Sequence, residues 1–227
     1  MELADKVIFI TGSSSGIGKA MALAFAKEKA KVVVTYHTKE QEGEQVLAEC
    51  KKLGASDTFL VQLDIKDTTS IQDCVKEVIN KFGSIDLLIN DAGVIAWKKL
   101  EEQNFEDIEN QIRTNLEGTI KVTCTALSYI TTGIICVASQ AGERAIAGLS
   151  VYCASKFGVR GFVQSIAQEV PNLKIFSVCP GLTATQMTNF KGVSPDFVAE
   201  LVLKTLHEEI KIPQGGDLNI WEFEGKK

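Results

Sequence analysis

The chain of 227 residues suits one α/β domain, and a hydrophobic share of 45% is ordinary for a packed core. Its 24 Lys and Arg against 29 Asp and Glu leave a formal net charge of −5, which offers no electrostatic footprint for nucleic acid or an anionic membrane. No apolar run is long enough to span a bilayer, and no linker, repeat or low-complexity tract divides residues 1–227, so a single domain is expected.

Strand-like and helix-like segments alternate in chain order. The chain enters its first strand, Val7-Ile8-Phe9-Ile10, soon after Met1, so no signal peptide is expected. A glycine-rich turn from Thr11 to Gly18 leads into a helix reaching Lys29, with Ile17, Ala20, Met21, Ala24 and Phe25 at helical spacing. A strand over Lys31 to Tyr36 and a helix over Lys39 to Leu53 follow. Next come a strand at Thr58 to Leu63 and a helix at Thr69 to Phe82, the latter striped by Ile71, Cys74, Val75, Val78 and Ile79. Ile85 to Asn90 reads as a strand and Phe105 to Ile130 as one long helix. Strands at Gly133 to Ala138 and Leu173 to Cys179 flank a helix at Val151 to Glu169. A helix over Asp196 to Glu209 and a last strand over Asp217 to Phe223 complete the pattern, and the tail from Glu224 to Lys227 is expected to fray. Continuous apolar strands joined by helices predict a doubly wound, three-layer sandwich: about seven parallel strands with helices on both faces.

Two features carry chemistry. Strand, glycine turn and helix in succession give the context of a dinucleotide site. Gly12, Gly16 and Gly18 let the backbone approach a pyrophosphate, while amides at the helix start face its charge. The spacing is Gly-x-x-x-Gly-x-Gly, and a flexible βα loop is the plain alternative. The second feature is Tyr152 and Lys156, one turn apart on a helix, with Ser139 thirteen residues upstream. An ammonium beside a phenol is expected to lower the phenol's pKa and make it a usable acid and base.

Taken together, the turn Thr11 to Gly18, Asp64, Asn90-Asp91-Ala92-Gly93, Asn115, Ser139, Tyr152, Lys156 and Pro180 to Thr185 resemble the short-chain dehydrogenase/reductase family. The resemblance covers Lys6 to about Thr188. It implies an NAD(P)-dependent Rossmann-like oxidoreductase that passes hydride between a nicotinamide and a carbonyl or alcohol. The catalytic set it implies is Ser139, Tyr152, Lys156 and Asn115. Tyr152 exchanges the proton, Lys156 lowers its pKa and holds the nicotinamide ribose, and Ser139 stabilises the carbonyl oxygen. Asn115 bends its helix and holds a water. The implied cofactor contacts are Gly12, Ser14, Ser15, Gly16, Ile17, Gly18, Asp64, Ile65, Asn90, Ala92, Gly93, Pro180, Gly181, Thr183 and Thr185, with Tyr152 and Lys156 again. Asp91 departs from the family's usual second asparagine.

Cofactor choice turns on Tyr36, His37 and Lys39. No aspartate stands near Tyr36 to bind a ribose 2′-hydroxyl, so NADP(H) is favoured and NAD(H) is possible. His37 or Lys39 is expected at the 2′-phosphate. Gln140, Ala141, Arg144 and Ile146 are expected on one wall of the substrate pocket, with Met187 and Phe190 as a short lid and Trp97 near the site. The substrate is a small carbonyl or alcohol compound. The alternatives are a 3-oxoacyl thioester, a sugar or polyol, or, in another class, a non-catalytic dinucleotide sensor. The family implies a homodimer or homotetramer. The six cysteines, without a C-x-x-C pair, read as free thiols in a reducing compartment, hence a cytoplasmic protein with no metal site.

Overall fold

A computed structural model describes residues 1–225; the expected fraying of Lys226 and Lys227 falls outside the described residues. Seven strands form one parallel sheet: β1 (Val7–Thr11), β2 (Lys31–Tyr36), β3 (Asp57–Gln62), β4 (Ile85–Asn90), β5 (Ile130–Val137), β6 (Lys174–Cys179) and β7 (Asp217–Asn219). Their spatial order is β3-β2-β1-β4-β5-β6-β7. Every pairing is parallel, as the continuous apolar runs predict.

The strand period of two sends alternate side chains into two cores. Ile8, Ile10, Val32 and Val34 join one cluster, with Phe25, Met21 and Val202 from helices α1 (Gly16–Lys27) and α7 (Pro195–Leu206). Val7, Phe9 and Val33 join the other, with Val75 and Val78 of α3 (Thr68–Phe82) and Val159 and Val163 of α6 (Ser150–Glu169). Helix α2 (Glu40–Leu53) covers the first face, adding Val46 and Cys50. Chain order reverses at β1 and β4. A crevice therefore opens at the carboxyl ends of these strands, where doubly wound sheets bind ligands.

Most element bounds shift by a residue or two, β5 starts at Ile130 instead of Gly133, and three elements differ most from expectation. The long helix predicted over Phe105 to Ile130 is two helices, α4 (Phe105–Ile112) and α5 (Thr119–Ala126), separated by a π-helical stretch, Arg113–Gly118. Its end, Ile130, already belongs to β5, after a 3-10 turn over Leu127–Tyr129. The final strand stops at Asn219, and Ile220–Glu222 wind into a 3-10 turn. Helix α7 starts one residue early because Ser194 caps it and Pro195 fits its first turn, where no amide partner is needed. It stops at Leu206, and Glu208 beyond it adopts a left-handed φ of 67°.

Candidate active site

The crevice is a cleft of about 710 Å³ between the glycine turn, the ends of β4 and β5, the start of α6 and the segment after β6. That volume lies within the range of cofactor and small-molecule sites.

Three buried hydroxyls fix the glycine turn. Ser13 Oγ donates to Ile10 O at 2.8 Å and accepts from Thr35 N at 2.8 Å. Gly12 N donates to Thr35 Oγ1 at 2.9 Å. Thr11 Oγ1 accepts from Asp91 N and Ala92 N at 3.0 and 3.1 Å, tying the turn to the end of β4. Thr11, Ser13 and Thr35 were not among the expected site residues. Their signal was present as the hydroxyls of Thr11 and Thr35 near the carboxyl ends of otherwise apolar strands, and of Ser13 within the glycine turn. Gly12 has a φ of +71°, and a Cβ there would lie 2.8 Å from the Ala92 Cα. The turn thus needs glycine for both conformation and space. Ser15, the N-cap of α1, makes no side-chain cap bond, so the amides of the first turn have no side-chain cap. Gly16, Ser14 and Ile17 line the cleft there. This bare helix start fits the diphosphate of a dinucleotide.

The expected catalytic side chains come together. Ser139 and Tyr152 both line the cleft, the serine near enough to favour the phenolate, and the Lys156 Nζ lies 5.8 Å from the Tyr152 ring centroid. Ser139 caps a 3-10 turn, Gln140–Gly142, its Oγ accepting from Ala141 N at 3.1 Å. Lys156 is 4% exposed, and its Nζ donates to Val137 O at 2.8 Å. Asn115, fully buried in the π-helical stretch, clamps the loop after β4. Its Oδ1 accepts from Val94 N at 2.7 Å, and its Nδ2 donates to Val94 O at 2.9 Å and Ser155 Oγ at 3.0 Å.

The electrostatics correct one expectation. Burial pushes the Tyr152 phenol up to about 12, outweighing the Ser139 hydroxyl that favours the phenolate. Burial also brings Lys156 down to about 8, against the opposing charge of Asp91. Desolvation of both groups therefore dominates over any depression of the phenol by its lysine. Asp91 is pushed up to about 7 by burial, although Lys156 and an amide hydrogen bond from Gly18 favour its charged form.

Of the expected cofactor contacts, Gly12, Ser14, Ser15, Gly16, Ile17, Tyr36, His37, Asp64, Ile65, Ala92, Gly93, Pro180, Gly181, Thr183 and Thr185 line the cleft. Four expected residues do not reach its wall. Asn90 is buried behind it, where its Nδ2 donates to Thr123 Oγ1 at 3.0 Å. Gly18 sits beneath it, so that a Cβ would meet Asp91 Oδ2 at 2.7 Å. Asn115 acts on Val94 from below. Lys39 turns away, its Nζ paired with Glu42 at 2.8 Å, because it stands at the N-cap of α2 beside acidic first-turn residues. His37 does reach the cleft, its Nε2 3.5 Å from Asp64 Oδ2. On the substrate wall, Gln140, Ala141, Ile146, Met187 and Trp97 line the cleft, whereas Arg144 and Phe190 do not. Five of the six free cysteines are buried and Cys124 is exposed.

The profile of the short chain dehydrogenase family matches residues 6–194. The 3-oxoacyl-[acyl-carrier-protein] reductase FabG of Staphylococcus aureus is 33% identical over 193 residues, covering 81% of this chain and 77% of that one. The 11-beta-hydroxysteroid dehydrogenase-like 4A of Arabidopsis thaliana is 36% identical over 204 residues, covering 86% of this chain and 65% of that one. Among solved structures, a short chain dehydrogenase from Burkholderia cenocepacia in complex with NADP superposes with a TM-score of 0.89 at 27% identity, covering 96% and 97% of the two chains. An alcohol dehydrogenase from Thermococcus sibiricus complexed with 5-hydroxy-NADP gives 0.85 at 26% identity, with 94% of each chain covered.

Proposed function

The chain belongs to the short-chain dehydrogenase family of NAD(P)-dependent oxidoreductases, and from that premise we propose that it reduces a carbonyl compound with NADPH through Tyr152, Ser139 and Lys156. The observation that carries this reading is that Ser139, Tyr152 and the buried Lys156 share one cleft with the bare start of α1. When bound, the nicotinamide cofactor supplies the hydride.

Tyr152 donates its proton to the carbonyl oxygen as charge develops there. A phenol held at about 12 is protonated at neutral pH and so can serve as the acid. Ser139 holds the same oxygen and stabilises its developing charge. Lys156, lowered to about 8, carries a proton that burial makes easier to release, and so can resupply the phenol. Asn115 fixes the Val94 backbone and, through Ser155, the helix that bears both groups.

NADPH over NADH is supported by Tyr36 at the end of β2, where an aspartate would bind the ribose 2′-hydroxyl of NADH. His37 is the basic group positioned in the cleft beside it. The solved relatives with NADP or a derivative bound agree with this. Reduction of a 3-oxoacyl thioester is the second reading, favoured by the identity to the staphylococcal reductases. A cytoplasmic enzyme fits the five buried free thiols. Assembly into a homodimer or homotetramer fits the exposed Ile120 on α5 and Phe157 on α6; a light-scattering mass of 24.7 kDa would contradict it.

The test is oxidation of NADPH and NADH by purified protein across aldehydes, diketones, β-keto esters, 3-oxoacyl thioesters and sugars. Turnover should be faster with NADPH and fall at least about a hundredfold in Tyr152→Phe, as expected on loss of the acid. Equal rates in wild type and Tyr152→Phe would overturn the assignment.

A further inference from the structure

Charge is segregated along the cleft. Its carboxylate, ammonium and imidazole groups are those of His37, Asp64 and Lys66 after β2 and β3, with Asp91 and Lys156 on the floor. The lining contributed by the segments after β4, β5 and β6 includes Ile95, Trp97, Ile146, Leu149, Leu182 and Met187, with Gln140, Gln186 and Thr188 as uncharged polar members. The cations nearest in sequence to these side chains lie off the wall: Lys98, next to Trp97, is paired with Asp107 at 2.7 Å, and Arg144, two residues before Ile146, is exposed.

Trp97 has a distinctive place there. It follows β4 in the loop that Asn115 clamps at Val94, and its indole is 57% exposed. Its Nε1 donates to Met187 O at 3.0 Å, across 90 residues of sequence. Met187 sits on a 3-10 turn, Gln186–Thr188, within the segment that follows β6. That segment is closed on itself: Val193 N donates to Leu182 O at 2.9 Å and Ala184 N to Val193 O at 2.8 Å. The Thr188 hydroxyl also donates to Thr183 O. The indole therefore joins two separately braced loops across the mouth of the apolar end. The N–H bond fixes the edge of the ring, and most of its surface is left to be covered.

We propose that the apolar end of the cleft takes an uncharged carbonyl compound with an apolar body, and that Trp97 is the residue that selects it, covering that body while its N–H holds the lid segment in place. An apolar body buries the exposed ring surface and the Ile146, Leu182 and Met187 side chains. A carboxylate in the same place is stripped of water and, among the described residues, meets no cation lining that wall. The inference rests on the oxidoreductase reading for the carbonyl group. Its selectivity is a matter of binding and stands without turnover.

Binding is measured by calorimetry with the Tyr152→Phe protein saturated with NADP⁺, so that no chemistry intervenes. The probes are 2-octanone and 7-oxooctanoate, methyl ketones that differ by a terminal carboxylate. The ketone should bind at least about tenfold more tightly. Adding Trp97→Ala should weaken 2-octanone about tenfold, while Trp97→Phe, which keeps a ring but loses the N–H, should stay within about threefold. Circular dichroism melts show whether each variant is folded, and the phenylalanine variant keeps the comparison valid if the alanine one is not. Equal or tighter binding of the oxo acid would overturn the proposal, as would wild-type affinity in folded Trp97→Ala. A lack of turnover in the enzyme with native Tyr152, with this binding pattern intact, would contradict the catalytic reading and leave the apolar selectivity standing.

Discussion

At Asp91 one substitution changes the character of the site. Where the family carries an amide, this chain holds a carboxylate against Gly18 and within the field of Lys156. Burial raises it from 3.8 to about 7, so the folded protein holds a proton there that the unfolded chain has lost between roughly pH 4 and pH 7. The unfolded state binds fewer protons in that window, and stability must fall as pH rises through it. Asp91→Asn removes the dependence while keeping an acceptor for the Gly18 amide. The variant's melting temperature should match wild type near pH 4 and exceed it by about 5 °C at pH 7.5. Thermal melts across that range check this, and parallel pH dependences in the two proteins would contradict it. The sequence made Asp91 visible as a departure from the motif. It could not show the burial that decides its charge. The same limit applies to Tyr152, whose spacing to Lys156 was legible while the desolvation that raises its pKa is a property of the packed site.

Between elements, the catalytic turn is tied to α6 and to the edge strand β7. Arg160 of α6 donates from Nε to both Asp217 oxygens at 3.1 Å and from one terminal nitrogen to Oδ2 at 2.5 Å. Its other terminal nitrogen reaches Gly142 O at 2.6 Å, at the end of the turn that Ser139 caps. Desolvation raises the Asp217 pKa, yet hydrogen bonds from Arg160 and Ser177 outweigh it and hold the carboxyl below its usual value. Arg160→Met leaves Asp217 on β7 largely buried and without its cation, a loss expected at about 3 kcal/mol. Chemical denaturation should show that loss together with a drop in kcat larger than any rise in KM, because the Ser139 turn loosens. Unchanged stability would contradict this account of the pair. None of these contacts was legible in the sequence, where Arg160 is one of several polar residues on a helix. The π-helical stretch was equally hidden. Residues 105–130 read as one helix because apolar periodicity does not report which carbonyl each amide selects. The break places Asn115 where it can bond both polar groups of Val94.

Taken whole, the molecule puts its chemistry where the strand order reverses. That much was legible, because apolar runs of strand length alternating with amphipathic helices predict the parallel sheet, and the sheet fixes the crevice. Motifs at strand ends were legible for the same reason: Gly12, Asp64, Gly93, Ser139 and Gly181 all lie on or beside the cleft because each follows a strand. Side-chain direction was not. Lys39 and His37 were equal candidates from sequence, and the acidic first turn of α2 draws only Lys39 away. The bond between Trp97 and Met187 joins residues whose proximity no local pattern encodes. The central claim is that the Tyr152 end of this cleft delivers hydride from NADPH to a carbonyl carbon. The most direct measurement supplies NADPH deuterated at nicotinamide C4, on the transferred face, with a ketone that is turned over, and weighs the alcohol by mass spectrometry. The account predicts product one mass unit heavier from the wild-type protein, and little or none from Tyr152→Phe. Unlabelled alcohol, or labelled alcohol formed equally by both proteins, would contradict it.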